Sequence, residues 1–307
     1  MTATVTLAPQ DSTKLYREPF RISHSLQDHK LFQLPRLIEL ARSMPGDRIE
    51  YNSGDVPPGV RPEDVPGIDM AVDEVIAQIE NCHAWMVIKN VEHDPQYKAL
   101  LETFVAELSL ASGKARDQFF DLQGFVFVSS AHSTTPFHFD AEENVLVQIR
   151  GEKFVHLFDN ADRSLVSEEA LEIAPSKHRN QHYEDAFEDR AVRFVLNAGD
   201  GVHIPYTHPH WVRTGGEYCI SMAMTWKTPQ VIRLNKIRMM NATLRRFGFA
   251  QSAPGTWPMA DAAKVFAHDV ARAIIDPLRR SEKARNLLRG LIYGRKANYY
   301  LKNTGKA

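Results

Sequence analysis

Residues 134–144 read TTPFHFDAEEN, which places two metal-ligand types, His138 and Asp140, two positions apart and just after a proline. On an extended chain alternate side chains share a face, so both can point to one side while Phe139 points to the other. The segment runs into NVLVQIRG (144–151), where Asn144, Leu146 and Gln148 share one face and Val145, Val147 and Ile149 the other. That alternation predicts a strand with an apolar outer side and a partly polar lumen. Around it lie GFVFVSS (124–130), KFVHLFD (153–159), RAVRFVLN (190–197), GVHIP (201–205), HWVRT (210–214) and YCISMAMTW (218–226), all β-branched or aromatic and separated by turn residues. Many short, closely spaced strands predict a sandwich or a barrel.

The texture differs on either side of this β region. Residues 1–20 look like a loose leader, and 45–70, rich in Pro, Gly and Asp, should be a long loop. Between and after them, helical spacing covers 34–44, 71–81 and 95–112, the last with Leu101, Phe104, Val105 and Leu108 on one face. AWMVIKNV (84–91) reads as a buried strand. At the other end, Thr228 can cap a helix and Pro229 suits its first position. Val231, Leu234, Ile237, Met240, Leu244 and Phe247 then recur every three or four residues up to Gly248, and further helices are expected over about 260–275 and 281–293. The predicted organisation is a mixed α/β extension (1–115) contributing to the core, a β core (116–227) and a helical region (228–307).

The bulk composition limits the possible functions. Of 307 residues, 43% are hydrophobic and 24% charged, with a net charge of −1, which makes no general case for a nucleic-acid partner. Two distant cysteines, Cys82 and Cys219, fit a reducing cytoplasm better than a disulfide framework. There is no stretch long and apolar enough for a membrane span, and the N-terminus lacks the pattern of a signal peptide.

A third metal ligand must come from elsewhere in the chain. NAGDGVHIPYTHPHWV (197–212) offers His203, His208 and His210 after a GD turn. Two imidazoles and one carboxylate on one face of an iron leave three exchangeable positions, the pattern of non-haem Fe(II) oxygenases. The ordinary alternative is a surface or hydrogen-bonded histidine, and His132, His156 and His178 are placed in that class.

TPFHFDAEENVLVQIRGEKFVHLF followed by AGDGVHIPYTHPHWV resembles the JmjC-type, cupin-like 2-oxoglutarate oxygenases, especially the branch containing the asparaginyl hydroxylase that acts on hypoxia-inducible factor. The T-P-x-H-x-D segment, the Asn four residues later, the Lys after Q-I-x-G-x and the G-D-x-x-x-I-P turn stand in the family's order, over about 124–226. The resemblance implies a double-stranded β-helix (cupin, jelly-roll) core, mainly β with helical additions and a helical C-terminal tail. It makes His138, Asp140 and His210 the catalytic iron ligands, with His208 as competitor for the distal position and His203 a lumen or neighbouring residue. It gives Lys153, Thr135 and Asn144 to the remote carboxylate of 2-oxoglutarate. A further polar contact on CISMAMTW stays unassigned between Ser221 and Thr225, since Met222 or Met224 can occupy that position.

The implied cofactor is Fe(II), with 2-oxoglutarate as cosubstrate. The implied reaction is hydroxylation of a protein side chain or small molecule with O2 uptake and release of succinate and CO2. A non-catalytic cupin-like metal- or ligand-binding protein is the alternative. A cupin isomerase, or a dioxygenase that needs no oxo acid, fits less well because of Asp140 and Lys153. The apolar stripe from Val231 to Phe247 must be buried against the β core or a second copy. Related oxygenases dimerise through C-terminal helices, so the resemblance implies a homodimer through roughly 229–290. The basic run from Arg279 to Lys306 reads as a solvated face, with an acidic partner as the lesser alternative.

Overall fold

The computed structural model describes residues 4–176 and 180–279, divided into two compact units, 1–235 and 236–307. The elements of the first are β1 (Val5–Thr6), β2 (Phe20–His24), α1 (Leu34–Ser43), β3 (Ile49–Ser53), α2 (Val72–Ala77), β4 (Ala84–Lys89), α3 (Pro95–Ser112), β5 (Phe120–Ser129), β6 (Thr134–His138), β7 (Glu143–Arg150), β8 (Lys153–Leu157), α4 (Glu168–Ile173), β9 (Val192–Leu196), β10 (Asp200–Ile204), β11 (His210–Thr214) and β12 (Cys219–Lys227). Then follow α5 (Pro229–Arg246) and α6 (Pro258–Arg279).

The strands form an eight-stranded sheet, ordered β1-β2-β10-β7-β12-β5-β4-β3, and a four-stranded sheet, ordered β6-β11-β8-β9. The paired strands are antiparallel. Leu146, Val202, Ile204 and Ala223 of the large sheet are buried in one cluster with Val155, Leu157, Leu196 and Val212 of the small one. The two sheets therefore face each other across a shared lumen, the jelly-roll arrangement of a cupin core.

The alternation in β7 is as expected. Leu146 faces the lumen, while Val145, Val147 and Ile149 join Met222 and Met224 of β12 in the main core, together with Leu37 and Leu40 of α1 and Leu101, Phe104, Val105 and Leu108 of α3. The helices of the N-terminal region thus cover the outer face of the large sheet. Helix α3 starts where Asp94 accepts hydrogen bonds from the N–H groups of Gln96 (2.8 Å) and Tyr97 (3.4 Å). It stops at Gly113, whose φ of 66° no β-carbon opposes.

Two expectations fail. The leader is not loose, because Val5, Leu15 and Phe20 are buried in the main core and β1 and β2 extend the large sheet. Its few apolar residues are spaced too irregularly to announce a strand. The expected loop 45–70 contains β3, the edge strand paired with β4, whose sequence IEYNS is only half buried and half polar.

Thr228 caps α5 as expected, its hydroxyl accepting from the Val231 N–H at 3.1 Å. The stripe predicted along α5 is not one exposed seam, since Ile237 is 0% exposed and Phe247 73%. Within the second unit, α6 presents Phe266, Val270 and Ile274 to solvent at four-residue spacing. The expected helix over 281–293, the basic run beyond Arg279 and His178 lie outside the described residues. No helix among the described residues is long and apolar enough to cross a membrane.

Gly201, the second residue of β10 and paired with Ile22 and Val147, is a test of how closely the sheet is built. A β-carbon there would lie 2.7 Å from Ile22 Cγ1 and 2.9 Å from the Leu146 carbonyl oxygen. Gly201→Ala should therefore lower stability by about 1–3 kcal/mol through backbone displacement, seen as a lower midpoint in urea unfolding.

Candidate metal centre

Strand β6 lies at the edge of the small sheet, the position that tolerates Pro136 and its missing N–H. Its last residue, His138, stands directly opposite His210, the first residue of β11. Asp140 follows two residues beyond the end of β6, in the turn to β7. Between them Phe139 turns outward and joins Phe137 and Phe158 in an apolar cluster on the other side. One donor atom each from His138, Asp140 and His210 lies within 4.8 Å of the others. The His210 Nε2 to Asp140 Oδ2 distance is 4.0 Å, and the two imidazole centroids are 4.2 Å apart.

The backbone fixes which ring nitrogen of each histidine is available. His138 Nδ1 donates to the Pro136 carbonyl at 2.6 Å, and His210 Nδ1 donates to the His208 carbonyl at 3.0 Å. A carbonyl can only accept, so each Nδ1 carries a proton, and in the neutral ring the lone pair then lies on Nε2. Asn144 Nδ2 donates to Asp140 Oδ2 at 3.0 Å and orients the carboxylate. Two imidazoles, in their neutral form, and an oriented carboxylate are the donor set that suits Fe(II), and their outer hydrogen bonds are of the kind that hold metal ligands in place.

The loop between β10 and β11 is held to the Asp140 turn. The Thr207 N–H donates to the Asp140 carbonyl at 2.9 Å, and the Tyr206 N–H donates to Glu143 Oε2 at 3.2 Å. Thr207 has φ of 59°, a left-handed conformation that strains a β-branched residue. Asn160 supports it by donating to the Tyr206 carbonyl (2.9 Å) and to Thr207 Oγ1 (3.3 Å).

Deeper in the lumen lies Lys153, 3% exposed. It pairs with Thr214, four residues along β11 from His210, or about 13 Å of strand. Its ammonium donates to Ser221 Oγ and lies 5.5 Å from the Phe127 ring centre. Among the described residues no carboxylate pairs with it, and burial pushes its pKa down to about 8. Trp85 Nε1 donates to Thr135 Oγ1 at 2.8 Å.

Of the residues expected at the site, His138, Asp140 and His210 come together, and Lys153 lies in the same lumen. Asn144 bonds the Asp140 carboxylate, and its Oδ1 is buried without a partner among the described residues. His208 lies outside the three-residue cluster; it is buried, and desolvation lowers its pKa. His203 is not in the lumen. It lies on the outer side, its ring 5.0 Å from that of Phe20, with Nδ1 3.2 Å from the Glu18 carbonyl and Nε2 3.5 Å from Glu143. Strand alternation explains this, because Val202 and Ile204 take the lumen side of β10. His156 stacks on Trp211 at 3.8 Å and bonds Glu188 at 2.5 Å, an outer-face role. On β12, Met222 and Met224 belong to the outer core, while Ser221 and Thr225 are both buried on the opposite face, and Ser221 accepts from the Lys153 ammonium.

A jelly-roll barrel carrying a His-x-Asp…His cluster defines this chain as a cupin. The model of the cupin-like domain matches residues 60–230, and the chain belongs to that family. Among solved structures it is similar to Escherichia coli ycfD, with a TM-score of 0.51 and 12% identity, over 95% of this chain and 73% of that one. A second structure, of YcfD described as a ribosomal oxygenase from Escherichia coli in complex with cobalt and 2-oxoglutarate, matches with a TM-score of 0.48 and 14% identity, over 91% of this chain and 69% of that one. The search of curated protein sequences finds no match.

His138→Ala, Asp140→Ala and His210→Ala should each abolish Co(II) or Ni(II) binding measured by calorimetry, while far-UV circular dichroism stays unchanged. His208→Ala should bind the metal as the parent protein does.

Proposed function

We propose that this cupin-like protein is a non-haem Fe(II)- and 2-oxoglutarate-dependent oxygenase that hydroxylates a C–H bond of a protein side chain or small molecule, releasing succinate and CO2. The observation that carries the reading is Lys153: a buried ammonium with no counter-anion among the described residues, in the same lumen as three metal-ligand side chains. Burying an unpaired charge is costly, and a lumen that does so is suited to an anionic ligand.

His138 Nε2, His210 Nε2 and one Asp140 oxygen would hold Fe(II), leaving the rest of its coordination sphere for exchangeable ligands. When bound, the iron supplies the activation of O2 that no side chain can provide. Lys153 and Ser221 receive the remote carboxylate of the oxo acid, and Thr135 borders that pocket. Asn144 keeps the Asp140 carboxylate turned toward the two imidazoles. Leu146, Val155, Val212 and Ala223 line the lumen with apolar surface and exclude water from it. The finer kinship with the asparaginyl hydroxylase branch rests on motif order alone. Two free cysteines, Cys82 and Cys219, suit the reducing environment of the cytoplasm.

Fe(II)- and O2-dependent formation of succinate from 2-oxoglutarate is the direct test, and its absence with a screened substrate panel would favour a non-catalytic binding protein. Lys153→Ala should weaken 2-oxoglutarate binding more than about tenfold, because a buried charge-assisted hydrogen bond contributes about 1.5–3 kcal/mol. Metal affinity should be unchanged in that variant.

The homodimer belongs to the same reading, with the exposed stripe of α6 as its seam in place of the partly buried face of α5. Light scattering should give twice the 34.8 kDa chain mass, and Phe266→Glu should return the protein to monomer. A monomeric parent protein would overturn the assembly without touching the site.

A further inference from the structure

The two loops that carry the candidate metal ligands come from distant parts of the chain: Asp140 precedes β7 and His210 opens β11. Besides the links already described, one side chain bonds to both. Asn235, in the first turns of α5, donates from Nδ2 to the Ala141 carbonyl at 2.9 Å and accepts at Oδ1 from the Tyr206 hydroxyl at 2.7 Å. Asn235 and Tyr206 are both buried, so the bridge is shielded from competing water.

We infer that Asn235 is a positioning residue for the metal centre: with Tyr206 it sets the spacing between the Asp140 turn and the His210 loop. The inference rests on the metal-site reading above. Ala141 directly follows Asp140, and Tyr206 directly precedes Thr207, whose N–H bonds the Asp140 carbonyl. A shift of either loop thus moves a ligand-bearing backbone. The amide is matched to its task, since one end must donate to a carbonyl while the other accepts from a phenol. Asp at this position keeps the acceptor but sets a carboxylate oxygen against the Ala141 carbonyl. Ala removes both contacts, and Tyr206→Phe removes only the hydroxyl.

The test is Co(II) titration of the full-length protein, parent and variant, followed by calorimetry and by the visible absorption of bound Co(II), which reports ligand geometry. Loss of an outer hydrogen bond to a metal site typically costs 10–100-fold in affinity. Asn235→Ala, Asn235→Asp and Tyr206→Phe should each weaken Co(II) binding by about tenfold or more and alter the Co(II) spectrum. The 2-oxoglutarate contribution of Lys153 should be retained. Asn235→Ala combined with Tyr206→Phe should lose no more affinity than Asn235→Ala alone, because both remove the same bridge. Parent-like affinity and spectrum in all three variants would overturn the positioning role while leaving the metal site standing. Failure of the parent protein to bind Co(II) would overturn the site and this inference together. If Asn235→Ala does not fold, Tyr206→Phe, which removes a single oxygen, carries the same test alone.

Discussion

A lysine ammonium buried in an apolar barrel, with no carboxylate partner among the described residues, is the constraint from which the rest of the structure can be understood. Desolvation pulls Lys153 down to a pKa of about 8, and the Ser221 hydroxyl and the Phe127 face compensate it only in part. The fold tolerates that cost because the small sheet is pinned from both sides. Its lumen face packs on the large sheet through Val155, Leu157 and Val212, and its outer face is closed by Phe137, Phe158, Phe187 and Trp211. Strand β11 acts as the ruler: His210 at its start faces His138, and Thr214 at its end faces Lys153. A buried cation and a three-donor cluster thus lie toward opposite ends of β11 in the same lumen.

Six of the described histidines are separated by what their ring nitrogens do. In His138 and His210, Nδ1 donates to the carbonyl two residues earlier, so that Nε2 is the nitrogen turned to the Asp140 side. In His24 and His29 the relation is reversed, because Nδ1 accepts from the N–H two residues later. These two act as local backbone caps. His156 and His203 are engaged with Glu188 and Glu143. The same residue type thus serves as ligand, cap or ion-pair partner, and backbone geometry at two-residue range decides which.

Much of this was legible in the sequence. The two-residue step from His138 to Asp140, the alternation of β7, the capped helices α3 and α5, and the position of Lys153 relative to His138 are local patterns, and local patterns survive folding. What the sequence did not disclose depends on long-range pairing. β3 and β1 are strands because β4 and β2 present free edges to them, not because IEYNS or VT is strongly strand-forming. His203 and His208 lie within a few residues of His210, yet the outward turn of β10 and the left-handed Thr207 set both outside the cluster. The outer-core burial of Met222 and Met224 leaves Ser221 and Thr225 together on the other face of β12. The contacts of Trp85 and Asn160 had no signal of comparable kind.

The partly compensated charge at Lys153 is the feature that an anionic ligand would complete. If an oxo acid carboxylate binds there, it must raise the lysine's pKa, and at about pH 8.5, just above its value in the free protein, binding must draw in a proton. Calorimetric titration of the Co(II)-loaded protein with 2-oxoglutarate, in two buffers of different ionisation enthalpy, counts that proton. Net proton uptake that disappears in Lys153→Met is the predicted result; binding with no proton uptake, or with the same uptake in the variant, would contradict it.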